Sequence, residues 1–290
     1  MRVVLLGTAA GGGFPQWNCA CALCSACRAG DPFVVPRTQD CLAVSADGAE
    51  WYLVNASPDL RAQLLATPAL AAGPGPRDTP LRGALLTDGE LDHTLGLMLL
   101  RESGGLRVFA PPAVLSALGE RFPIRGAVAR YGTWTWESAV DVPGMTVSSF
   151  AVSDKRPKYA QDSAAPGPWV VAYRITDPAT GGSLVYAPCL REWPAGFDEF
   201  VAGAGVVLLD GTFYSAREMT GTGTSTSAQL AMGHVPIEDS LKRVRDHGGV
   251  RWCYTHLNNT NPVLDTRSAE FAAVREAGVE VPPDGTEFMV

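Results

Sequence analysis

The chain has 290 residues, of which 46% are hydrophobic and 18% charged, a composition that excludes a disordered or fibrous protein and fits a globular one. Its net charge of −7 argues against a general nucleic-acid or anionic-membrane surface. The sequence therefore predicts no nucleic-acid or membrane partner and favours small-molecule or peptide chemistry. Seven cysteines are too few for a disulfide scaffold in a chain of this length.

The first predicted element is a short strand at 2–7, RVVLLG, which glycines follow closely. Its apolar run is too short for an export signal, and no apolar run in the chain approaches the roughly 20 residues of a membrane-spanning helix. We therefore expect a cytoplasmic chain. The sequence leaves the oligomeric state open, a homodimer included.

Four of the seven cysteines lie within nine residues, in a loop at 18–28. Cys19, Cys21, Cys24 and Cys27 follow the pattern C-x-C-x2-C-x2-C, and a compact turn with this spacing brings thiolates around one tetrahedral Zn²⁺. The loop therefore predicts a structural zinc site, and the alternative is a set of free or redox-active thiols. Cys27 has suitable spacing for the fourth ligand, but it could equally face elsewhere while a distant histidine completes the site.

Further strands and helices follow along the chain. CLAVSADGAEWYLVNAS at 41–57 predicts two strands around an Asp-Gly turn, which is a strong hairpin signal. Apolar runs predict strands at 83–90, 106–112, 145–153, 169–177, 183–188, 206–213 and 250–258. Three- and four-residue spacing of apolar residues predicts helices at 94–103, 112–121, 238–247 and 267–277. Because the candidate metal residues lie on both sides of each Pro- and Gly-rich loop, we expect one domain over residues 1–290.

The stretch LLTDGELDH at 85–93 adds three carboxylates and one imidazole to the end of an apolar run. Asp88, Glu90 and Asp92 alternate along what we predict to be extended backbone, so their side chains converge on one face, and His93 points in a second direction. Carboxylate and imidazole together suit Zn²⁺, Mn²⁺ or Fe²⁺. The alternative is a solvated acidic turn with a helix-capping aspartate.

Polar residues in three later stretches strengthen the metal interpretation. Asp210 and His256 each follow a predicted strand, and His234 lies between a glycine and Val235-Pro236. Strand exits form the rim where open αβ sheets build their sites, so we group these residues with the acidic stretch. Cys189 also follows a strand, but a buried free cysteine is its expected role. His247, at the end of a predicted helix, is given no chemical role.

The chain resembles the coenzyme PQQ synthesis protein B family of the metallo-β-lactamase superfamily over nearly its whole length. The motifs that carry the resemblance are LGTAAGGGFPQWNCACALC at 6–24, PRTQ at 36–39, NASPDLR at 55–61, LTDGELDHTLGLMLLRE at 86–102, LDGTF at 209–213, MGH at 232–234 and THLNNTNPVLD at 255–265. The superfamily's metal signature is H-x-H-x-D-H at a strand exit. Asp92 and His93 match it, whereas Asp88 and Glu90 replace its first two histidines, a departure typical of this family.

The resemblance implies an α/β fold, a four-layer αββα sandwich of two mixed β-sheets packed face to face with helices outside. It also implies a zinc site on Cys19, Cys21 and Cys24, with a histidine as the fourth ligand in related folds. His256 is either that ligand or an active-site ligand, because one imidazole rarely serves two ions.

The carboxylate-rich signature changes the expected chemistry of the site. Fewer imidazoles move it from a two-zinc hydrolytic centre toward a hard, redox-capable metal such as Fe²⁺. The resemblance implies an oxidoreductase of PQQ biosynthesis, an iron-dependent hydroxylase that uses O₂ on the tyrosine ring of a Glu–Tyr-derived precursor. In this hypothesis Asp92, His93 and either His256 or His234 hold the iron. The residues expected to be further ligands or to orient the imidazoles are Glu90, Asp88 and Asp210.

Two arginines are candidates to bind the carboxylates of such a small peptide or amino-acid substrate. Arg61 and Arg101 each lie beside residues of a motif, and guanidinium groups pair well with carboxylates. The alternative for both is a local ion pair, with Asp59 or Glu102. The sequence does not decide between the two roles.

Two other functions stay open. A metal-dependent phosphodiesterase or other hydrolase is the commoner activity of the fold, and PhnP-type cyclic phosphodiesterases resemble this chain in their Cys-rich loop. The loss of the first two signature histidines argues against it, because such enzymes use them to hold a water-activating metal pair. The other is a non-catalytic carrier of PQQ or its precursor, with a role in transport; a chain without a spanning segment favours an enzyme instead.

Overall fold

The computed structural model describes residues 1–224, 232–245 and 247–290, and its strands, numbered in chain order, form two mixed sheets. The first sheet contains β1 (Arg2–Gly7), β2 (Cys41–Ser45), β3 (Trp51–Val54), β4 (Leu81–Leu85), β5 (Arg107–Phe109), β6 (Thr135–Glu137) and β12 (Glu287–Met289). Their spatial order is β12-β1-β2-β3-β4-β5-β6. The pairs from β3 to β6 are parallel, whereas the pairs from β12 to β3 are antiparallel.

In the second sheet, strands that follow one another in the chain are also neighbours in space. It contains β7 (Thr146–Ser153), β8 (Val170–Thr176), β9 (Ser183–Ala187), β10 (Val206–Asp210) and β11 (Arg251–Thr255). The order is β11-β10-β9-β8-β7, with β9, β10 and β11 parallel and the remaining pairs antiparallel. The carboxyl ends of the three parallel strands therefore meet at one edge of the sheet.

Short helices connect the strands. The α-helices in the described residues are α1 (Ala22–Arg28), α2 (Leu60–Ala66), α3 (Leu91–Thr94), α4 (Gly96–Leu99), α5 (Pro112–Glu120), α6 (Ile124–Val128), α7 (Phe197–Val201), α8 (Glu218–Gly221), α9 (Ile237–Val244) and α10 (Ala269–Glu276). Single 3₁₀ turns lie at Pro68–Leu70, Leu100–Ser103, Lys158–Ala160 and Pro262–Leu264. Helix α10 begins where its sequence provides a cap, since the side chain of Ser268 accepts a hydrogen bond from the Phe271 amide.

Alternation of apolar side chains along the strands builds three layers of core. In β1, Val3 and Leu5 face the core between the two sheets, whereas Val4 and Leu6 face the outer core that α2, α4 and α5 cover. In β10, Leu208 faces the core between the sheets and Leu209 faces the core covered by α9. The predicted α/β class and αββα sandwich are thereby confirmed.

Several predicted elements match the structure and others do not. The hairpin at 41–57 and the helices at 112–121 and 267–277 are present as β2, β3, α5 and α10. The predicted helix at 238–247 is present as α9, and position 246 lies outside the described residues. The predicted helix at 94–103 is wrong in its start, because helical structure begins at Leu91 and is divided between α3, α4 and a 3₁₀ turn. Within the described ranges, no helix is both long enough and apolar enough to cross a membrane.

Candidate active site

The candidate active site lies where strands of both sheets end. Asp210 is the last residue of β10, and His256 follows the last residue of β11. The backbone of His256 has a φ of 57°, a left-handed conformation that is uncommon for a residue other than glycine and that marks functional sites in many folds. From the first sheet, the segment after β4 adds Asp88 and His93. The strand-exit residues predicted from the sequence are therefore brought together.

The first cluster is built around His93, whose side chain is fully buried. Its Nδ1 lies 2.9 and 2.8 Å from the two carboxylate oxygens of Asp88, so that Nδ1–H donates to the carboxylate. Asp88 is itself held by the Thr87 hydroxyl at 2.8 Å and by the Glu90 amide at 2.9 Å. Asp88 therefore fixes the ring of His93, and the opposite nitrogen, Nε2, has no hydrogen-bond partner among the described residues.

The acidic stretch does not fold as predicted. We expected Asp88, Glu90 and Asp92 to converge along extended backbone, but the helix α3 includes Asp92, and Glu90 is the residue just before it. Asp88 turns toward His93, whereas Glu90 forms an ion pair with Lys155 at 3.3 Å. Of the three carboxylates, Asp92 is the one that lies near the Nε2 atoms of His93 and His256. The prediction of convergence is wrong because the chain turns into a helix between the second and third carboxylate.

Asp92 lies between the two imidazoles. Its Oδ2 is 3.3 Å from His256 Nε2 and 3.9 Å from His93 Nε2. Although burial raises it, His93 and His256 together hold the pKa of Asp92 well below its usual value. The glycine-rich N-terminal loop comes close to this carboxylate, since a Cβ at Gly11 would lie 3.1 Å from Asp92 Oδ2. Two imidazoles and one carboxylate are thus gathered in a small space.

A second cluster surrounds His256 on its other side. The Thr212 hydroxyl donates to Asp210 at 2.7 Å, and His256 Nδ1 lies 2.8 Å from the same hydroxyl oxygen. Since the single hydroxyl hydrogen goes to Asp210, His256 Nδ1–H is the donor to Thr212 and Nε2 keeps its lone pair. His234 Nδ1 lies 2.8 Å from Asp210 Oδ2, and its ring stacks on that of His256 with centroids 5.3 Å apart.

The donors form two sets that share His256. Ligand atoms of Asp210, His234 and His256 lie within 4.8 Å of one another, and so do those of His93, Cys189 and His256. Buried imidazoles whose second ring nitrogen is held by a carboxylate or a hydroxyl are groups that hold divalent transition metals. Together with the unpartnered Nε2 of His93, the two sets fit a metal ion.

The charges of the first cluster are mutually stabilising without a metal. Although burial lowers it, the carboxylates of Asp88 and Asp92 raise the pKa of His93 to about 10. Although burial raises it, His93 lowers the pKa of Asp88 below its usual value. His93 is therefore an imidazolium between carboxylates at neutral pH, and a metal ion must displace its proton to bind.

Asn55 supports this cluster from behind. It is fully buried, its backbone has a φ of 64°, and its Oδ1 accepts a hydrogen bond from the amide of Thr87 at 3.0 Å. We expect Asn55→Ala to lower the free energy of unfolding by about 2 to 4 kcal/mol, because it leaves the buried amide of Thr87 unpaired and keeps the strained backbone. Asn55→Gly should lose about 1 kcal/mol less, since glycine relieves the strain. Urea unfolding of both variants measures the difference, and equal losses would contradict the strain contribution.

The Cys-rich loop forms a separate cluster. The sulfur atoms of Cys19, Cys21 and Cys24 lie within 4.8 Å of one another. The side-chain amide of Asn259 fills the fourth side, with its nitrogen 3.2 to 3.8 Å from the three sulfurs. Neither Cys27 nor His256 has a ligand atom in this group among the described residues. Both predicted fourth ligands are therefore corrected: α1 carries Cys27 to a separate position, and His256 belongs to the active-site clusters.

The two predicted substrate arginines are placed differently from the site residues. Arg101 pairs with Glu102 at 3.4 Å and lies over the Tyr131 ring, which is the local alternative stated for it. Arg61 is exposed on α2, and in the described part of the chain it makes no hydrogen bond or ion pair. Lys155 is a basic residue that lies at the site, where it pairs with Glu90. Its signal in the sequence was weak, because it lies in an irregular Pro-rich loop.

Comparisons with known proteins identify the family of the chain. A family model described as the beta-lactamase superfamily domain matches residues 50–257. Coenzyme PQQ synthesis protein B of Methylobacterium nodulans is 40% identical over 297 residues, which cover 98% of each chain. The protein of the same name from Methylorubrum extorquens strain PA1 is 38% identical over 296 residues, again covering 98% of each chain.

Solved structures show the same relationship. Zn²⁺-bound PqqB from Methylobacterium extorquens superposes with a TM-score of 0.92 at 36% identity, over 100% of both chains. A diphosphatase of the PhnP family superposes with a TM-score of 0.71 at 18% identity, over 100% of this chain and 97% of that one, and this similarity shows the fold alone. The fold is one that metal-dependent enzymes use. The chain belongs to the coenzyme PQQ synthesis protein B family of the metallo-β-lactamase superfamily.

Proposed function

We propose that this chain takes part in PQQ biosynthesis as an Fe²⁺-dependent, O₂-using hydroxylase of the tyrosine ring in a Glu–Tyr-derived precursor. The observation that carries the proposal is the buried, unpartnered Nε2 of His93 beside Asp92 and His256. Two imidazoles and one carboxylate with open positions are the ligand set of non-haem Fe²⁺ oxygenases. The replacement of the first two signature histidines by Asp88 and Glu90 favours this chemistry over a two-zinc hydrolytic centre.

In this proposal His93, His256 and Asp92 hold the iron, which supplies the activation of O₂. The protein's own groups prepare those ligands. Asp88 fixes the ring of His93 through Nδ1, and Thr212 fixes the ring of His256 in the same way. His234 and Asp210 extend the site on the far side of His256, where the substrate's phenol or a second ion would find an imidazole and a carboxylate.

Lys155 is the residue that we propose for a carboxylate of the substrate. It is about one-third exposed, and it pairs with Glu90 beside the first cluster. We expect Lys155→Met to raise KM for a Glu–Tyr substrate about tenfold while changing kcat little, because the lost ion pair is made equally in the bound and the reacting state. Lys158→Met, an exposed lysine of the same loop, is the matched control and should leave KM unchanged. A fall in kcat with an unchanged KM would contradict this role.

Reconstitution tests the proposed reaction. Protein prepared without air is loaded with Fe²⁺ and mixed with a Glu–Tyr dipeptide, ascorbate and then O₂, so that ascorbate supplies two electrons and the second oxygen atom leaves as water. We expect the dipeptide to gain one oxygen atom on its ring, as measured by mass spectrometry with ¹⁸O₂. If iron is bound at the site and the dipeptide gains no oxygen, the proposed hydroxylase function is wrong.

Two further assays separate the alternatives. Turnover of bis(p-nitrophenyl) phosphate with Zn²⁺ or Mn²⁺ that His93→Ala abolishes would support a phosphodiesterase in its place. Tight binding of PQQ that is unchanged when the active-site metal is removed, together with no turnover, would support a carrier. The hydroxylase predicts neither result.

For the Cys-rich loop we propose a structural Zn²⁺ held by Cys19, Cys21, Cys24 and the side-chain oxygen of Asn259. The amide of Asn259 already points at all three sulfurs, and rotation about its last bond exchanges oxygen for nitrogen. We expect Asn259→Ala to weaken zinc binding about tenfold, since one of four ligands is lost, and Asn259→Asp to restore or strengthen it. Competition with a chromogenic chelator measures both. Equal affinities in all three proteins would show that Asn259 is not a ligand.

A further inference from the structure

We propose that Cys189 is a metal ligand, whose thiolate shares one ion with the imidazoles of His93 and His256. The sulfur of Cys189 and one nitrogen of each ring all lie within 4.8 Å of one another. Around a tetrahedral ion with metal–nitrogen distances of about 2.0 Å and a metal–sulfur distance of about 2.3 Å, donor atoms are roughly 3.3 to 3.6 Å apart. Movements of about 1 Å would therefore close the three donors on an ion.

The orientation of His93 gives a second, independent indication. Its Nδ1 is committed to Asp88, and its buried Nε2 has no hydrogen-bond partner in the described part of the chain. A buried nitrogen without a partner is costly unless a ligand completes it. Because Nε2 is the nitrogen left free, the donor set that includes Cys189 contains a group prepared for an ion. The inference rests on a metal at this site, as the proposed function does, but not on hydroxylation.

The backbone holds Cys189 in place through its neighbours. The amide of Leu190 donates to Asp210 Oδ2 at 2.7 Å, and the carbonyl of Leu190 accepts from the Val235 amide at 2.6 Å. The segment after β9 is thus tied to the same carboxylate that orients His234. Cys41, in contrast, lies within β2, and its thiol donates to the Asn55 carbonyl at 3.3 Å, as expected of a cysteine of the core.

A thiolate at this position would change which ions the site prefers. Asp92 offers a hard oxygen and Cys189 a soft sulfur beside the same two imidazoles. Which of the two completes the site therefore depends on whether the bound ion prefers oxygen or sulfur. Zn²⁺ and Co²⁺ gain from the sulfur, whereas Fe²⁺ and Mn²⁺ gain more from the carboxylate. We therefore expect Cys189→Ser to weaken binding of Zn²⁺ and Co²⁺ by at least about tenfold and to shift the preference of the site toward Fe²⁺.

Cobalt spectroscopy tests the proposal without a turnover assay. The full-length protein is first given one equivalent of Zn²⁺ to fill the Cys-rich loop, and Co²⁺ is then added to wild type, Cys189→Ser and Cys27→Ser. Visible d–d bands report that Co²⁺ is bound, and a near-ultraviolet charge-transfer band reports a thiolate ligand. The difference spectrum between wild type and Cys189→Ser cancels any cobalt that enters the loop.

We expect the charge-transfer band in wild type and Cys27→Ser and its loss in Cys189→Ser, while circular dichroism shows that all three proteins are folded. Superimposable spectra of wild type and Cys189→Ser, or wild type without visible cobalt bands, would overturn the proposal. The two proposals fail separately. A difference band without hydroxylation by the iron protein would contradict only the proposed function, and hydroxylation with superimposable cobalt spectra would contradict only the ligand role of Cys189.

Discussion

Replacing His93 with alanine is expected to remove metal binding at the active site and to abolish turnover. His93 provides the Nε2 donor of the first cluster and is also the partner of Asp88, whose carboxylate is buried. Mutation of a residue that only hydrogen-bonds to a metal ligand typically weakens metal binding about 10- to 100-fold, and loss of the ligand itself should weaken binding by at least as much. The substitution also leaves a buried carboxylate without its cation, so we expect the metal-free protein to lose about 3 kcal/mol of unfolding free energy.

A second histidine outside the site serves as a control for the effects of His93→Ala on metal binding and stability. His247 pairs with Asp198 at 2.7 Å, and its ring packs against Trp193 and Trp252, away from both clusters. His247→Ala should lower the unfolding free energy by about 1 to 2 kcal/mol, less than His93→Ala, and leave metal content unchanged. Metal analysis and urea unfolding of the two variants measure both quantities. Full metal occupancy in His93→Ala would contradict its role as a ligand, and equal destabilisation of the two variants would contradict the importance of its pair with Asp88.

The fold was predictable because its strands carry their own pattern. In β1 and β10 the alternation of apolar residues assigns each side chain to one of two cores. The residues of the strand itself therefore indicate which core each face of the sheet contacts. The helix after β4 was placed too late for an equally local reason. Asp92 was read as part of an alternating acidic strand, but in the first turn of α3 its carboxylate faces the positive end of the helix dipole, where it is favourable.

The sequence predicted which residues form the site, but it did not predict which of them contact one another. Strand exits identified Asp210 and His256, because parallel strands bring their carboxyl ends to one edge. The partner of Cys19 could not be found in the same way, since Asn259 is 240 positions away and its amide is not one of the usual zinc donors. Likewise, nothing local indicates that Glu90 pairs with Lys155, so that Asp92 and not Glu90 lies beside the Nε2 atoms of His93 and His256.

The pH dependence of the metal-free protein should follow His93. The neighbouring carboxylates raise its pKa from 6.5 to about 10 in the folded protein. A raised folded pKa adds stability that is fully present below pH 6.5 and is lost as the pH rises toward about 10. Between about pH 7 and 7.5, where the thiols of the unfolded chain are still almost fully protonated, the loss should approach about 1.4 kcal/mol per pH unit. Asp88 and Asp210 have lowered pKa values, so their contribution is lost only in acid.

Metal binding should show the opposite slope. An ion that takes Nε2 must displace the proton of the His93 imidazolium, so its apparent affinity should rise up to about tenfold per pH unit over the same range, and up to about a hundredfold if the Cys189 thiol also gives up its proton to the ion. Urea unfolding of the metal-free protein and Zn²⁺ titrations at matched pH values measure the two slopes. In His93→Gln, which keeps a hydrogen-bond donor near Asp88 but does not titrate, the stability slope should flatten. An equal stability slope in the variant and in wild type would assign the pH dependence to other groups. Burial raises the pKa of thiols such as Cys253, so ionisation of these thiols in the unfolded chain also lowers stability as the pH rises.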